Sequence, residues 1–177
     1  LADFGNALLS PCDLAARIGL RRHAVGRLAV EKNLDAFLCL DLPGTKVVIG
    51  DGPQRGALAR AYPDAHFVGE RHGAALARGY AGADVFVFPS LTDTFGLVLL
   101  ESLASGTPIA AHSVTGPSDI LDGAPPGVGA LDHDLRAAAL RALSGDRQAC
   151  RRHAERFSWR ACAEAFVANL VLVGRTG

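Results

Sequence analysis

Residues 83–111, ADVFVFPSLTDTFGLVLLESLASGTPIAA, contain the pattern that decides the fold. The run 85–88 is entirely apolar and ends at a proline, as expected of a strand that is buried on both faces. A polar turn follows, and the sequence predicts that a helix begins at Phe95-Gly96. A second apolar strand is predicted over 108–111 after the glycine that ends this helix. The segment therefore predicts a strand–loop–helix–strand unit.

Two carboxylates, Asp93 and Glu101, lie on either side of the predicted helix start. Eight helical steps of about 1.5 Å would place them roughly 12 Å apart along the axis and on neighbouring faces. The helix N-terminus between them offers unpaired N–H groups, and Gly96 would let an anion approach the backbone. Because carboxylates accept hydrogen bonds from hydroxyl groups, the pattern predicts a site for a sugar attached to a nucleotide diphosphate. The alternative is that Asp93 caps the helix and Glu101 is a solvated surface group.

Short apolar runs alternate with helix-like segments along the rest of the chain. We expect further strands ending at residue 25 and over 46–50 and 65–68. We expect helices over 10–22, 33–40, 53–62, 73–81, 132–143, 146–157 and 158–173. This alternation predicts an α/β fold with a parallel, Rossmann-like sheet flanked by helices and closed by C-terminal helices. Ligands of such sheets bind at the carboxyl ends of the strands.

Two basic residues, Arg27 and Lys32, bracket the loop after the first predicted strand. The guanidinium fork of Arg27 suits bidentate contact with a pyrophosphate, and Lys32 would add a second positive charge. The alternative is an ordinary surface pair, because Glu31 and Asp35 lie alongside and could neutralise both groups.

Several short motifs follow one another in a recognisable order. They are VGRL at 25–28, EKN at 31–33, VVIGDGP at 47–53, VG at 68–69, GPSDI at 116–120 and RFSW at 156–159. Together with the segment 83–111, this set resembles the retaining GT-B glycosyltransferases, especially glycosyltransferase family 4, over about residues 25–173. The chain departs from the family pattern by having Asp93 in place of the first glutamate and Thr94 in place of the following glycine.

The resemblance implies roles for individual residues and a reaction. The residues with implied catalytic roles are Arg27, Lys32, Asp93 and Glu101, and those with implied donor-binding roles are Gly26, Gly50, Gly52, Arg71, Thr94, Phe95, Gly96, Leu97 and Val98. Arg71 would lie at the nucleobase or, equally, face solvent. The implied reaction transfers a hexosyl group of the mannose or glucose type to a hydroxyl acceptor with retention, without a metal or another cofactor. The segment around Asp93 looks most like that of GDP-mannose-dependent α-mannosyltransferases and glycolipid glycosyltransferases, and a UDP-linked donor stays open.

The resemblance also implies that part of the enzyme is missing from this chain. Residues 25–177 correspond to the donor-binding domain, residues 1–24 match no motif, and the N-terminal acceptor domain is absent. We therefore expect this chain to bind a nucleotide-sugar but to turn over little without that partner domain. The apolar face of the predicted last helix would lack a partner.

Composition narrows the class of protein further. The chain has 177 residues, 49% of them hydrophobic, with 18 basic and 18 acidic residues, so no charge excess points to nucleic acid. The four cysteines lack the spacing of a zinc site, and no metal site is expected. No signal peptide or membrane-spanning run is evident, so a cytoplasmic location is expected, with peripheral membrane association through a lipid or polysaccharide acceptor left open.

Two other classes stay open beside the transferase. One is a non-catalytic nucleotide-sugar-binding remnant of this fold, and the other is a GT-B-like nucleotide-sugar epimerase. A phosphorylase would need a pyridoxal-binding lysine, for which there is no candidate. A dinucleotide oxidoreductase is disfavoured because no Gly-x-Gly-x-x-Gly motif opens a helix.

Overall fold

Six short strands form one parallel sheet in the computed structural model, which describes residues 20–42, 44–93 and 95–170. The strands are β1 (Arg21–Val25), β2 (Thr45–Ile49), β3 (His66–Gly69), β4 (Val85–Phe88), β5 (Ile109–Ala111) and β6 (Gly129–Leu131). They lie in the order β3-β2-β1-β4-β5-β6, and every neighbouring pair is parallel. This is the strand order of a Rossmann-type sheet, whose winding reverses between β1 and β4.

Helices connect the strands and cover both faces of the sheet. They are α1 (Leu34–Leu38), α2 (Arg55–Ala61), α3 (Gly73–Ala81), α4 (Leu97–Ala104), α5 (Thr115–Leu121), α6 (Leu135–Ala142), α7 (Arg147–Ala154) and α8 (Trp159–Ala168), with 3-10 turns at Val30–Lys32 and Glu155–Phe157. Three of the last helices begin at side-chain caps, which are Asp134, Asp146 and Ser158. Each cap accepts hydrogen bonds from N–H groups of the first turn, which would otherwise lack partners.

The core lies on both sides of the sheet because side chains of a strand point alternately to its two faces. On β4, Val85 and Val87 pack with α1 and α6, whereas Phe86 and Phe88 pack with α3, α4, α5 and α7. All four β4 side chains are buried. This explains why β4 is apolar throughout and confirms the predicted α/β fold with a parallel sheet.

The predictions for α3 and β4 match the structure residue for residue. Two elements, α5 and β6, were not predicted from the sequence. The segment that forms α5 contains Gly116 and Pro117, which indicate a turn, but Pro117 lies in the first helical turn, where a proline costs no hydrogen bond. Strand β6 has three residues including a glycine, and its pairing with β5 gives it strand conformation.

The helix predicted over 10–22 is wrong at its end, because Arg21 and Arg22 belong to β1. Its first part, residues 10–19, lies outside the described residues. β1 pairs with β2 on one side and β4 on the other, so long-range pairing overrides the local pattern. β1 also crosses residue 24, the boundary that the sequence suggests for the domain. Within the described ranges, no helix has the length and apolar character needed to cross a bilayer.

β1 carries three consecutive buried basic side chains, Arg21, Arg22 and His23. In the part of the chain that the structure describes, none of the three guanidinium nitrogens of Arg22 has a hydrogen-bond partner. Burial lowers the pKa of Arg22, and the nearby Asp84 only partly opposes this effect. Burial also lowers the pKa of His23 to about 4. Burial of the Arg22 charge therefore costs free energy in the folded state, whereas burial keeps His23 neutral at pH 7.

We expect Arg22→Met to raise the free energy of unfolding by about 1–3 kcal/mol, because it removes an unpaired buried charge and keeps an unbranched side chain. Urea unfolding measures the difference. The control is Arg60→Met on the exposed face of α2, which should change stability by less than about 0.5 kcal/mol. Destabilisation by Arg22→Met would show that Arg22 has a stabilising partner.

We also expect His23 to weaken the fold as the pH falls. The folded-state pKa of about 4 lies below the unfolded value of 6.5, so the unfolded chain binds the proton first. The stability present above pH 6.5 is then lost towards pH 4, by about 1.4 kcal/mol per pH unit. His23→Val should flatten this slope in urea unfolding at a series of pH values. The exposed-site control His133→Gln should keep the slope, and an unchanged slope in His23→Val would refute the assignment.

Candidate functional site

A cleft of about 500 Å³ opens at the carboxyl ends of β1, β2 and β3. Seven of the residues implied by the sequence resemblance line it, namely Gly26, Arg27, Gly50, Gly52, Arg71, Val98 and Glu101. The first five follow the ends of these strands, and the last two come from α4. The cleft therefore lies at the edge of the sheet where doubly wound folds bind their ligands.

Glycine backbone forms part of the lining of the cleft, and Gly26, Gly50 and Gly52 are called its glycine floor. A Cβ atom on Gly50 would lie 1.9 Å from the Gly26 carbonyl oxygen, and one on Gly52 would lie 2.5 Å from the Leu28 carbonyl oxygen. The loops after β1 and β2 are also joined by hydrogen bonds, from the Gly26 N–H to the Ile49 carbonyl at 3.0 Å among others. A Cβ on Gly26 would meet no atom within 4 Å. A ligand can thus approach the Gly26 backbone closely.

The loops that follow β1 and β4 are tied together across the point where the winding reverses. Three contacts join them: Lys32 with the Asp93 carboxylate, the Asn33 side-chain amide with the Pro89 carbonyl at 3.1 Å, and the Ser90 hydroxyl with the Glu31 carbonyl at 3.3 Å. Asn33 has φ 50°, the only positive φ of a non-glycine residue in the described ranges. Asparagine tolerates this conformation better than most residues, so it suits the tight bend between the 3-10 turn and α1.

This arrangement gives the two predicted carboxylates different surroundings. The sequence predicts Asp93 in the turn before the helix, and α4 begins at Leu97. Because Asp93 is not in the helix, the estimated separation of eight helical steps does not apply to this pair. Asp93 pairs with Lys32, whereas Glu101 lines the large cleft. Lys32 and Arg27 line a separate narrow crevice beside it. The positive charge of Lys32 is therefore neutralised, while Arg27 is exposed at the cleft.

Glu101 has a partner that the sequence analysis missed. The hydroxyl group of Tyr80 on α3 donates a hydrogen bond to the Glu101 carboxylate at 2.8 Å. Tyr80 is almost completely buried, and this burial, followed by the charge of Glu101 and the hydrogen bond to it, raises the pKa of its hydroxyl group. The spacing of Leu76 and Tyr80 places them on one face of α3 and indicates no role for the hydroxyl group. A buried tyrosine nevertheless needs a partner for its hydroxyl group, and that requirement was the available signal.

Three of the implied donor-binding residues do not line this cleft. Gly96 has φ 75° and is buried, and a Cβ atom there would lie 2.9 Å from Leu99. Phe95 and Leu97 are exposed and line a second, apolar cleft of about 430 Å³ that also includes Trp159. Leu97 and Val98 face different clefts because successive helical residues are rotated by about 100°. Thr94 lies outside the described residues.

The described residues also contain no group of three His, Cys, Asp or Glu side chains that could hold a metal ion. The large cleft has a mostly apolar lining that includes Val25, Ile49, Leu76 and Val98, and it carries a few polar groups that suit an anion and hydroxyl groups. Arg27 and exposed backbone can bind negative charge, and the carboxylate of Glu101 can accept hydrogen bonds.

The same fold occurs in glycosyltransferases of known structure. The pneumococcal O-GlcNAc transferase, solved in complex with UDP and GlcNAc, superposes with a TM-score of 0.65 and 22% identity over 85% of this chain and 35% of its own. Sucrose-phosphate synthase from Thermosynechococcus elongatus superposes with a TM-score of 0.70 and 24% identity over 89% of this chain and 47% of its own. The fold is therefore that of GT-B glycosyltransferases.

Residues 23–146 match the family of group 1 glycosyl transferases, and the chain belongs to this family. A GDP-mannose-dependent alpha-mannosyltransferase of Mycobacterium tuberculosis is 44% identical over 99 residues, which are 55% of this chain and 26% of that protein. A GDP-mannose-dependent alpha-(1-6)-phosphatidylinositol dimannoside mannosyltransferase of the same species is 34% identical over 165 residues, 82% of this chain and 42% of that protein. The sulfoquinovosyl transferase of Arabidopsis thaliana is 36% identical over 154 residues, 77% of this chain and 30% of that protein. The chain thus spans less than half the length of these curated relatives.

We expect Gly50→Ala to disrupt the cleft, because its methyl group would overlap the Gly26 carbonyl and force the two loops apart. The loss of stability should be at least about 2 kcal/mol in urea unfolding. Gly56→Ala is the matched control: its Cβ atom would meet only the Arg60 side chain at 3.6 Å, and it lies in α2, where alanine is favoured. Equal stabilities of the two variants would contradict the close approach of the loops.

Proposed function

We propose that this chain is the nucleotide-sugar-binding half of a retaining hexosyltransferase. The whole enzyme would move a sugar of the mannose or glucose type from a nucleotide diphosphate to a hydroxyl acceptor. The observation that carries this proposal is the cleft at the strand ends, which combines a glycine backbone floor, an exposed arginine and a carboxylate fixed by a tyrosine. We assign the donor-binding role to residues 25–177 and none to residues 1–24.

In this proposal the pyrophosphate lies over the glycine floor. Gly26 keeps a side chain out of that space, Gly50 and Gly52 let the loop after β2 lie against the loop after β1, and Arg27 supplies the positive charge beside them. The guanidinium group can form two parallel hydrogen bonds with phosphate oxygens. Its charge also stabilises the nucleotide diphosphate that leaves when the glycosidic bond breaks.

The nucleoside would lie on the other side of the cleft. The Glu101 carboxylate can accept hydrogen bonds from the two ribose hydroxyls, which are vicinal and so match its two oxygens. Arg71 would contact the base. Its guanidinium group donates to the Glu70 carbonyl at 2.9 Å and is thereby held at the rim of the cleft.

Lys32 and Asp93 would serve the sugar and the phosphate next to it. They form an ion pair in this structure, with side-chain exposures of 30% and 21%. An ammonium group has three donors and a carboxylate has several acceptor positions, so each can keep the other while contacting a ligand. Lys32 would then assist Arg27, and Asp93 would accept a hydrogen bond from a hexose hydroxyl.

The identity of the donor is suggested by the relatives. Two M. tuberculosis relatives are described as GDP-mannose-dependent, whereas a structural neighbour was solved with UDP. Because sequence identity is higher to the first group, we propose GDP-mannose as the donor and a UDP-hexose as the alternative.

The acceptor would be bound by a second domain. The chain spans only 26% of one curated relative and 42% of another. Within the described residues, helix α8 presents exposed apolar side chains, with Trp159 91% exposed and Phe166 67% exposed. Such a surface fits contact with another domain. We therefore expect this chain alone to bind donor and to transfer little sugar.

A thermal-shift screen with GDP, UDP, GDP-mannose and UDP-glucose tests the proposal. A ligand at 100 times its Kd should stabilise the chain by about 2.7 kcal/mol. Arg27→Ala and Glu101→Ala should each weaken binding by roughly ten-fold or more, because each removes a charged contact. Arg60→Ala, on the exposed face of α2, should bind like the parent chain. If no nucleotide stabilises the folded chain, or both site variants bind normally, the proposed function is wrong.

A further inference from the structure

We propose that Tyr80 is a positioning residue, which holds the Glu101 carboxylate in the orientation that recognises the two ribose hydroxyls of the donor. The inference rests on the proposed function, since it assigns Glu101 to the ribose. It starts from the hydrogen bond between the Tyr80 hydroxyl and the Glu101 Oε2 atom, 2.8 Å long. Tyr80 would act through Glu101 and need not touch the nucleotide.

Tyr80 is itself fixed at both ends. Its ring is 1% exposed and packs edge to face on Phe86 on β4, with 5.4 Å between the ring centroids. Its backbone carbonyl accepts a hydrogen bond from the buried Thr107 hydroxyl at 2.7 Å. A ring held in this way has few alternative positions, so its hydroxyl group is a stationary donor.

The same contacts connect α3 to α4, the helix that carries Glu101. The Thr107 carbonyl accepts a hydrogen bond from the Ser102 hydroxyl at 3.0 Å, and Ser102 follows Glu101 on α4. Ser102 and Thr107 are both fully buried. Glu101 is therefore fixed through its side chain by Tyr80, while its backbone lies in a helix that the same buried network supports.

The consequence concerns the orientation of the carboxylate. Glu101 is exposed at the cleft, where a free glutamate side chain would sample many rotamers and lose that freedom on binding. The bond to Tyr80 occupies one position on Oε2, so the remaining positions on both oxygens are available to a pair of hydroxyl groups. Without the Tyr80 hydroxyl group the carboxylate keeps its charge but is no longer oriented before the ligand binds.

The test compares nucleotides with and without the two hydroxyls. Affinities of the full 177-residue chain for GDP and 2′,3′-dideoxy-GDP are measured by calorimetry, with UDP and its dideoxy form in parallel. Tyr80→Phe should weaken binding of the ribonucleotide about ten-fold, the usual range for a hydrogen bond to a charged group, and change binding of the dideoxy form less than two-fold. A role confined to folding would weaken both nucleotides alike, and that result would overturn the inference.

The chain supplies a matched control in its other tyrosine. The Tyr62 hydroxyl also donates to a carboxylate, that of Asp35, at 3.0 Å, but this pair does not line the cleft. Tyr62→Phe should leave all four affinities unchanged. If Tyr80→Phe does not fold, Thr107→Val removes the hydroxyl group that holds the Tyr80 carbonyl. This variant should weaken binding of the ribonucleotide by a smaller factor than Tyr80→Phe and again leave binding of the dideoxy form nearly unchanged. Equal weakening of both nucleotides would count against the inference.

Glu101→Ala separates the two proposals. It should abolish the preference for the ribonucleotide over its dideoxy form. If Glu101→Ala loses this preference while Tyr80→Phe binds normally, Glu101 recognises the ribose hydroxyls without Tyr80, and only the inference about Tyr80 is wrong. If Glu101→Ala keeps the preference, the assignment of Glu101 fails, and binding of neither nucleotide by the folded chain would overturn both proposals.

Discussion

The position of β1 between β2 and β4 is the constraint on which the rest of this structure depends. Successive connections lead outward from β1 on one side, and after β3 the chain returns to form β4 on the other. The helices that follow β1 and β4 therefore pack on opposite faces of the sheet. A crevice remains at the carboxyl ends of the strands, although three contacts tie together the loops that precede these helices. The glycine floor extends this geometry, because Gly50 and Gly52 let the loop after β2 lie directly against the loop after β1.

The polar groups around this crevice differ in how far they must rearrange before they can bind a ligand. On the nucleoside side, Glu101 is held by Tyr80. Arg27, beside the glycine floor, is already exposed to the cleft. On the other side, Lys32 and Asp93 satisfy each other's charges. Under the proposed function, the nucleotide would meet a largely preorganised site, whereas the sugar would have to share or rearrange an ion pair. A preorganised nucleotide side favours affinity for the nucleotide. Rearrangement on the sugar side makes the free energy of binding depend on which sugar the donor carries.

Much of the fold could be predicted from the sequence, because the local sequence of several central elements favours the conformation that they adopt. β4 is an unbroken apolar run that ends at Pro89, and α3 has helical periodicity without an internal breaker. β1 was harder, since Arg22 in a buried strand is identified only by pairing with its neighbours. The candidate site was predictable where glycines and charges follow strand ends. The Lys32–Asp93 pair, 61 residues apart, and the Tyr80–Glu101 bond depend on packing that a single sequence does not specify.

The central claim, that a nucleotide binds at the carboxyl ends of β1 and β2, is tested most directly by a titration of the ¹⁵N-labelled chain with GDP and, separately, UDP, followed by NMR. The account predicts that saturating nucleotide shifts the amide resonances of Gly26, Arg27, Gly52 and Glu101, which surround the cleft. The indole resonance of Trp159, the single tryptophan, should not move, because its side chain lines the other cleft. Shifts centred on Trp159, or none at saturating concentrations of either nucleotide, would contradict the account.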